Sequence, residues 1–287
     1  MTHDRYKSLI GKSIHCLLVS DAVDGTELGH VIVEEKPTKG PIEGTDWFIW
    51  NIFTLPQLRR QGIASRLIEE LTGQAQKANV LNLVGSANPT VQATGFWISQ
   101  GFCLQRYGQK SENRNNPLEF GNYHHLIFKR ISDADGTKCG DPAPKGYTLC
   151  RADELQMDHI FEGYVRSSDV LYYRDKRDSM KAITITDRGN ALRGFIVLLK
   201  ERIGEPVELE QMWIPYLYIE PRARGQGLAR RLLHATMDDA RNENVRQLIF
   251  LSSKSESYPF WHKNGFSAFL WSHLAERNTA LAAGILV

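Results

Sequence analysis

The chain has 287 residues, a length that accommodates one large domain or two of ordinary size, and we expect two. Its composition, 42% hydrophobic and 24% charged, is that of a soluble globular protein and excludes the disordered and collagen-like classes. The formal net charge of +2 excludes the concentrated basic excess that binding to a nucleic-acid backbone needs, so no nucleic-acid partner is expected.

The first half of the chain reads as short apolar strands followed by a turn and a helix. Apolar runs predict strands at 13–21, 29–35 and 47–53. The stretch IFTLPQLRRQGIA (52–64) then leads from the third strand through a proline and a glycine into a helix. Another apolar strand, LNLVGS, and the segment GFWISQGF follow at 81–86 and 95–102.

The second half opens with two elements that the first half lacks, a strand at 147–152 and a helix at 153–167. Two strands joined by turn residues 188–190 indicate an antiparallel hairpin at 182–187 and 192–201. A strand at 212–219 leads into a glycine turn and a helix from Leu228. A strand at 247–253 and a helix containing PFWHKNG complete the pattern.

The two halves are copies of one another. The stretch LYIEPRARGQGLA (217–229) matches 52–64, and the arginines that open the pattern R-x-x-G-x-A, Arg59 and Arg224, are 165 residues apart. The glycines of the later F-W-x-x-x-G-F pattern, Gly101 and Gly265, are 164 residues apart. A drift of one residue over about forty indicates an internal duplication.

The Gly-, Pro- and Asp-rich stretch 132–146 is the expected linker between the copies. It would separate an N-terminal domain at 1–131, which lacks the opening strand and helices, from a more complete C-terminal domain at 147–287.

A glycine turn between a strand and a helix suits one kind of ligand. It directs several backbone N–H groups to one point at the positive end of the helix dipole, and such a nest binds phosphate oxygens. Gly62, Gly225 and Gly227 would let an oxygen approach the backbone closely. A plain strand-turn-helix connection is the alternative, but packing alone does not require the whole R-x-x-G-x-A string twice.

The pattern R-x-x-G-x-A after an apolar strand, with F-W-x-x-x-G-F about 36 residues later, resembles motifs of the GNAT N-acetyltransferase superfamily. The resemblance covers most of both halves. It implies an α/β (α+β) fold of two tandem acyl-CoA N-acyltransferase (GNAT) domains, each a mixed, mostly antiparallel sheet flanked by helices. It also implies acetyl-CoA as the cofactor and transfer of the acetyl group to a primary amine of a small molecule or protein.

The same resemblance implies which residues hold coenzyme A. The turns would bind its pyrophosphate, mainly through backbone amides, and the strands before them would border its pantetheine arm, with a strand N–H polarising the thioester carbonyl. The turn residues are Arg59, Arg60, Gln61, Gly62, Ile63, Ala64 and Ser65 in the first half and Arg224, Gly225, Gln226, Gly227, Leu228, Ala229 and Arg230 in the second. The strand residues are Ile52, Phe53 and Thr54, and Leu217, Tyr218 and Ile219.

The acid and the base of the reaction are not where the family places them. The tyrosine position that supplies a proton to the thiolate holds Trp97 and Trp261, and an indole cannot supply one near neutral pH. Tyr258, about one helical turn earlier, is the candidate acid, with a packing role as the alternative. Glu210 is the candidate base, although it lies just outside the expected strand position, as Glu208 and Asp46 also do, and each could be a solvated charge.

No metal site is expected, because the cysteines form no ligand pair and the adjacent histidines His124 and His125 lie in an apolar strand without an acidic neighbour. His262 is more simply an exposed side chain than a catalytic one.

The sequence leaves the acceptor open, although aromatic residues at the expected cleft wall favour an apolar or cationic small molecule. These residues are Trp47, Trp50, Trp213, Tyr216 and Tyr218. The C-terminal half is expected to be the working site because it has the opening elements that shape an acceptor pocket. The alternative is a catalytically silent CoA-binding or regulatory protein; a dinucleotide-binding fold is disfavoured because G-x-G-x-x-G is absent.

No apolar run approaches a membrane span and the N-terminus lacks the pattern of a signal peptide, so no membrane partner and a cytoplasmic location are expected. A tandem chain already contains a two-domain contact, so a monomer is preferred, with a dimer possible.

Overall fold

A computed structural model describes residues 12–38, 43–87, 91–108, 123–130, 146–164, 176–203, 209–252, 255–271 and 280–286. The chain divides into two compact units, Met1–Asp135 with Ser253–Leu281 and Gly136–Ser252 with Ala282–Val287. The expected linker, apart from Gly146, lies outside the described residues, and the domain boundaries stay a prediction.

The first half forms a six-stranded sheet in the order β1-β2-β3-β4-β6-β5. The β3–β4 pair is parallel and the other pairs are antiparallel. The elements are β1 (Ile14–Ser20), β2 (Glu27–Pro37), β3 (Thr45–Thr54), α1 (Ile63–Lys77), β4 (Asn82–Ala87), α2 (Val91–Ser99), β5 (Cys103–Gly108) and β6 (Tyr123–Arg130).

Helix α1 packs on one face of this sheet. Its apolar residues recur every three or four positions, so Leu67, Ile68 and Leu71 are buried together. Because strand side chains alternate, the odd-numbered Val31 and Val33 of β2 point to this helix. The even-numbered residues of β2 lie on the opposite face.

The second half forms a seven-stranded sheet in the order β7-β8-β9-β10-β11-β13-β12. The β10–β11 pair is parallel, and the pairs from β7 to β10 are antiparallel. The elements are β7 (Tyr147–Arg151), α3 (Glu154–Tyr164), β8 (Met180–Asp187), β9 (Leu192–Ile203), β10 (Leu209–Ile219), α4 (Leu228–Asn242), β11 (Gln247–Ser252), α5 (Tyr258–Lys263), β12 (Ser267–Trp271) and β13 (Ala280–Leu286).

Helix α3 packs on the second sheet through Met157 and Ile160, which are buried with Phe195, Val197 and Leu199 of β9. Strands β8, β9 and β10 take the places that β1, β2 and β3 have in the first sheet, so β7 and α3 are additional elements. Among the described residues, which begin at Lys12, nothing in the first half corresponds to them. The predicted fold class, two mixed and mostly antiparallel sheets flanked by helices, is confirmed.

The predicted hairpin and the predicted strand at the adjacent histidines are confirmed. The hairpin is formed by β8 and β9, with Asn190 at a φ of 60° in its turn. His124 and His125 lie in β6, as predicted. In the part of the chain that the structure describes, every helix is too short or too polar to cross a membrane.

The parallel pair of each sheet starts with a side-chain hydrogen bond. In the first sheet Asn82 Nδ2 donates to Asp46 Oδ1 at 2.9 Å. In the second, Gln247 Nε2 donates to Gln211 Oε1 at 3.0 Å. Burial raises the pKa of Asp46 to about 7, although the bond from Asn82 acts to lower it.

This carboxyl group should make stability depend on pH. Because the folded pKa of about 7 lies above the ordinary value of 3.8, this group stabilises the fold fully below pH 4, and that stability is lost progressively as the pH rises to about 7. An asparagine does not ionise, so Asp46→Asn should not lose this stability at high pH. We expect its free energy of unfolding to exceed that of the wild type by about 1–2 kcal/mol at pH 8 and to differ little at pH 4. Thermal unfolding of the whole chain at pH 4 and pH 8 measures the change in stability. An equal gain in stability at both pH values would contradict the assignment to Asp46. So would the same gain in Asp24→Asn, the exposed control.

Candidate active site

The central parallel strands separate in both sheets. Strand β3 pairs with β4 only from Asp46 to Ile49, and β10 pairs with β11 only from Gln211 to Trp213. From Asn51 in β3 and from Tyr216 in β10 onward, the strand residues pair on the other side alone. Each sheet therefore has an opening whose wall is the strand segment that precedes the glycine turn.

A β-bulge lies where each opening begins. In the first sheet, Val33 pairs with Ile49 and Ile32 with Asn51, which leaves Trp50 as the extra residue. In the second, the register shifts between Trp213 and Tyr216. A bulge turns backbone groups away from the ladder, so both openings present unpaired backbone at this point. Pro215 has no N–H to offer there, whereas Trp50 does.

The two turns share an unusual backbone. A short 3-10 turn, Pro56–Leu58 or Pro221–Ala223, comes first. Gly225 and Gly227 then have φ angles of 78° and 76°. In the first half Gly62 has a φ of 82°, and Arg60 takes the left-handed conformation at 66° in the place of Gly225. Left-handed residues of this kind direct successive N–H groups inward and form an anion-binding nest.

The helices that follow begin without a side-chain cap. Their first intrahelical bonds run from Arg66 N to Gly62 O at 3.0 Å and from Arg231 N to Gly227 O at 3.2 Å. The amides of the residues just before these, such as Ile63 and Ala64, therefore have no acceptor within the helix. Both helix starts thus offer N–H groups at the positive end of a dipole.

Side chains hold the turn of the second half in place. Arg224 Nε donates to Ile219 O at 3.1 Å, and Tyr147 on β7 donates its hydroxyl to Gln226 Oε1 at 2.9 Å. Arg193 forms ion pairs with Asp187 and Glu220, which precedes the turn. The hydrogen bonds that Arg193 donates to Glu220 and Asp187 raise the pKa of Arg193 above its ordinary value. Because Tyr147 lies on β7, this bond belongs to the more complete half.

A model of the acetyltransferase (GNAT) family matches the sequence twice, at residues 3–102 and 151–266. The chain belongs to this family. The two matches contain both separated strand pairs and both glycine turns, so the tandem GNAT arrangement is confirmed, and acetyl-CoA is the cofactor.

Two solved structures that resemble the chain have TM-scores below 0.5. A GNAT acetyltransferase from Elizabethkingia anophelis with acetyl-CoA bound is 14% identical, covers 50% of this chain and 100% of its own, and has a TM-score of 0.39. A tandem GNAT protein from the clavulanic acid biosynthesis pathway is 16% identical, covers 96% of this chain and 84% of its own, and has a TM-score of 0.36. A search of curated proteins gave no match.

The residues around the first turn suit the cofactor of a GNAT protein. The hydroxyl of Thr54, the last residue of β3, is buried without a hydrogen-bond partner. A pantetheine arm carries amides that could satisfy such a group. Ser65 also lines a shallow depression of about 470 Å³ along α1, together with Glu69, Gln76 and Gln100. The residues present therefore fit coenzyme A.

Arg60 is strained, and this strain is testable. A non-glycine residue in the left-handed region costs about 1–2 kcal/mol, part of which glycine recovers. We expect Arg60→Gly to raise the free energy of unfolding by about 0.5–1 kcal/mol. Arg59, whose φ is −62°, is the matched control, and Arg59→Gly should lower stability. Denaturant titration of both variants measures the difference; equal effects would contradict this interpretation.

The predicted catalytic residues lie in different surroundings. Glu210 is the second residue of β10 and lies three residues before Trp213, where the register shift begins. Its carboxylate lies 3.7 Å from Lys200 Nζ. Tyr258 starts α5, is 1% exposed and stacks on His262. Trp97 and Trp261 are both buried in packed clusters with phenylalanines. The roles of Tyr258 and Glu210 stay predictions.

The aromatic residues expected at a cleft wall divide between two faces. Trp47 is 2% exposed and belongs to the core beneath α1, so it is not a wall residue of the opposite face. Trp213, Tyr216 and Tyr218 pack on the face of the second sheet that α3 covers. Tyr164 of α3 joins them, with its ring 4.8 Å from that of Tyr218.

The corresponding face of the first sheet is polar, which the sequence analysis missed. His30 Nδ1 lies 2.5 Å from Glu27 Oε1, and Asn51 Nδ2 donates to His30 Nε2 at 2.9 Å. The ring of His30 stacks on Phe53 at 5.4 Å. In the second half, the residues 165 positions after His30, Asn51 and Phe53 are all aromatic, namely Phe195, Tyr216 and Tyr218. Extending the repeat upstream of the turns would have revealed this difference.

Proposed function

We propose that this GNAT protein is an N-acetyltransferase that moves the acetyl group of acetyl-CoA to a primary amine by direct attack on the thioester, with the C-terminal half as the principal site. The observation that carries the proposal is the separation of β10 from β11 at a bulge, directly before an anchored glycine turn. When bound, acetyl-CoA supplies the activated acetyl group. The protein supplies the opening, the anion nest and the wall that receives the amine.

The wall of the C-terminal half favours an amine on an apolar or aromatic body. Phe195 and Tyr218 stack at 5.4 Å, and Tyr164 lies against both rings. Tyr164 remains 38% exposed, so the aromatic cluster reaches the surface beside the strand that precedes the turn. Aromatic side chains of this kind bury apolar ligands and also attract cations through their faces.

The attacking amine has to lose a proton during the reaction. The strand positions of this wall carry no carboxylate, so the attacking amine gives its proton to water or to a predicted residue. If Tyr258 and Glu210 act as acid and base, Tyr258→Phe and Glu210→Gln should each lower kcat by about 100-fold and leave the KM for acetyl-CoA unchanged. Steady-state kinetics of both variants at saturating amine measures this. An unchanged kcat would remove the residue concerned from the mechanism.

The test of the function is release of free CoA thiol from acetyl-CoA with a panel of amines. It should include arylalkylamines such as tyramine, aliphatic diamines and a lysine-containing peptide. We expect release that depends on the amine and an acetylated product of matching mass. Thermal stabilisation by acetyl-CoA without release from any amine would contradict catalysis.

A silent CoA-binding protein is the second candidate. The specific observation in its favour is that Trp97 and Trp261 are buried where an acid is expected. This alternative predicts saturable binding of acetyl-CoA and no acetylated product. The same amine panel therefore separates the two candidates.

A further inference from the structure

The face of the first sheet opposite α1 contains a nearly buried carboxylate. Glu34 on β2 is 7% exposed. The indole N–H of Trp50, the bulge residue of β3, donates to Glu34 Oε2 at 2.7 Å. A buried carboxylate is costly unless it is paired, so charge of the opposite sign is required beside it.

Two lysine ammonium groups provide that charge. Lys12 Nζ lies 3.3 Å from Glu34 Oε1, and Lys36 Nζ lies 3.5 Å from Glu34 Oε2. The same two groups lie over aromatic rings: Lys36 Nζ is 4.3 Å from the ring centre of Phe48 and 5.5 Å from that of Trp50, and Lys12 Nζ is 5.2 Å from Trp50. A carboxylate with two ring faces is a recognition site for an alkylammonium ion.

The second half does not repeat this site. The positions that correspond to Glu34 and Trp50 are Leu199 and Pro215, and Leu199 is buried in an apolar cluster. Both halves keep the same bulge, so the fold does not require the carboxylate or the indole. The sheet therefore forms without these two side chains, and the fold leaves both positions available for contact with a ligand.

We propose that Glu34, Trp50 and Phe48 form a binding site for the ammonium group of a diamine or polyamine, with Lys12 and Lys36 occupying it when no such ligand is bound. The proposal rests on the proposed function and assigns the first half its own class of acceptor. The bulge residue Trp50 belongs both to this site and to the opening between β3 and β4. A ligand held at one end by Glu34 would thus lie beside that opening.

The chemistry of the pair explains why two amino groups are needed. Burial acts to raise the pKa of Glu34, but the Trp50 indole and the two lysines hold that pKa below its ordinary value. An ammonium group held by an ionised carboxylate keeps its proton and cannot attack a thioester. The nucleophile must be a second, neutral amine of the same molecule.

The experiment is calorimetric titration of the full chain with 1,5-diaminopentane, with 1,5-pentanediol as the probe that carries no ammonium group. We expect the diamine to bind and the diol not to bind, and Glu34→Gln to weaken diamine binding at least tenfold. Lys36→Ala should tighten binding about fivefold, because the resident cation no longer competes. Glu35→Gln is the matched control, since Glu35 is the adjacent carboxylate and bonds to Ser13 and His15 instead.

The signs of these effects distinguish a ligand site from a structural ion pair. A structural pair predicts that Lys36→Ala lowers the thermal stability and leaves diamine binding unchanged or weaker, and this result would overturn the proposal. Equal losses of diamine affinity in Glu34→Gln and in Glu35→Gln would also overturn the proposal. If Glu34→Gln does not fold, the affinity of Lys36→Ala for the diamine tests the proposal by itself: tighter binding supports it and unchanged or weaker binding overturns it.

The outcomes also separate this proposal from the proposed function. Diamine binding that depends on Glu34, without CoA release from any amine, would support the ammonium site and contradict the proposed catalysis. CoA release with arylalkylamines, together with diamine binding that does not change in Glu34→Gln, would support the catalysis and contradict the ammonium site.

Discussion

Replacing Gly227 by valine is expected to lower the affinity of the C-terminal half for acetyl-CoA by about 100-fold, which corresponds to the loss of two backbone hydrogen bonds to a charged group. Gly227 has a φ of 76°, a conformation in which a β-branched residue is strained. Within the structure itself a Cβ at this position meets nothing within 4 Å. The expected effect therefore comes from the backbone of the nest and from the space through which an anion approaches it.

Calorimetric titration of acetyl-CoA measures this effect, and CoA release with the best amine of the panel should fall in parallel. Gly163→Ala is the control, because Gly163 lies in α3 without a positive φ and a Cβ there also meets nothing. Unchanged acetyl-CoA binding and turnover in Gly227→Val would show that the nest is not used.

Replacing Gly194 by alanine is expected to cost about 2–3 kcal/mol of the free energy of unfolding, the largest effect on stability that we expect from a single methyl group. The new Cβ would lie 2.8 Å from the carbonyl oxygen of Tyr218 and 2.5 Å from Ile219 Cδ1. The carbonyl belongs to the paired strand β10 and cannot rotate away without breaking the ladder. The end of β10, which leads into the turn, must therefore shift.

Gly29 in the first half has the same contact, since its Cβ would lie 2.7 Å from Phe53 O. Denaturant unfolding of Gly29→Ala and Gly194→Ala should give losses of similar size, whereas Gly163→Ala should be neutral or slightly stabilising. A loss below about 0.5 kcal/mol in both strand variants would contradict the close approach of the two backbones.

Much of this fold could be predicted because its signals are local or repeated. The glycine turn sets the start of α4 at Leu228, as the helix-forming pattern indicates. The hairpin of β8 and β9 follows from the turn residues before Leu192. The duplication then transfers each assignment from one half to the other, so a weak pattern in one copy is supported by the second.

Other features depend on pairing between distant segments. The bulge at Trp50 exists only in the register of β3 against β2, and the sequence carries no local sign of it apart from Pro215 in the other copy. The site at Glu34 requires the same register, because it joins side chains of two strands. Strand alternation does show from the sequence that Trp47 and Trp50, an odd number of residues apart, cannot line the same face, and the structure places Trp47 in the core.

Gly29 and Gly194 were within reach of the sequence. They are 165 residues apart, the same offset as Arg59 and Arg224, and extending the repeat upstream would have found them. Their role could not be read from the sequence, because the atoms that exclude a side chain belong to the neighbouring strand.

The central claim is that backbone amides at two glycine turns hold acetyl-CoA. Its most direct test is the stoichiometry of acetyl-CoA binding to the wild-type chain, to Gly62→Val, to Gly227→Val and to the double variant. We predict two bound molecules for the wild type, one for each single variant and none for the double variant at the same concentrations. A double variant that binds acetyl-CoA with the wild-type stoichiometry and affinity would contradict the account.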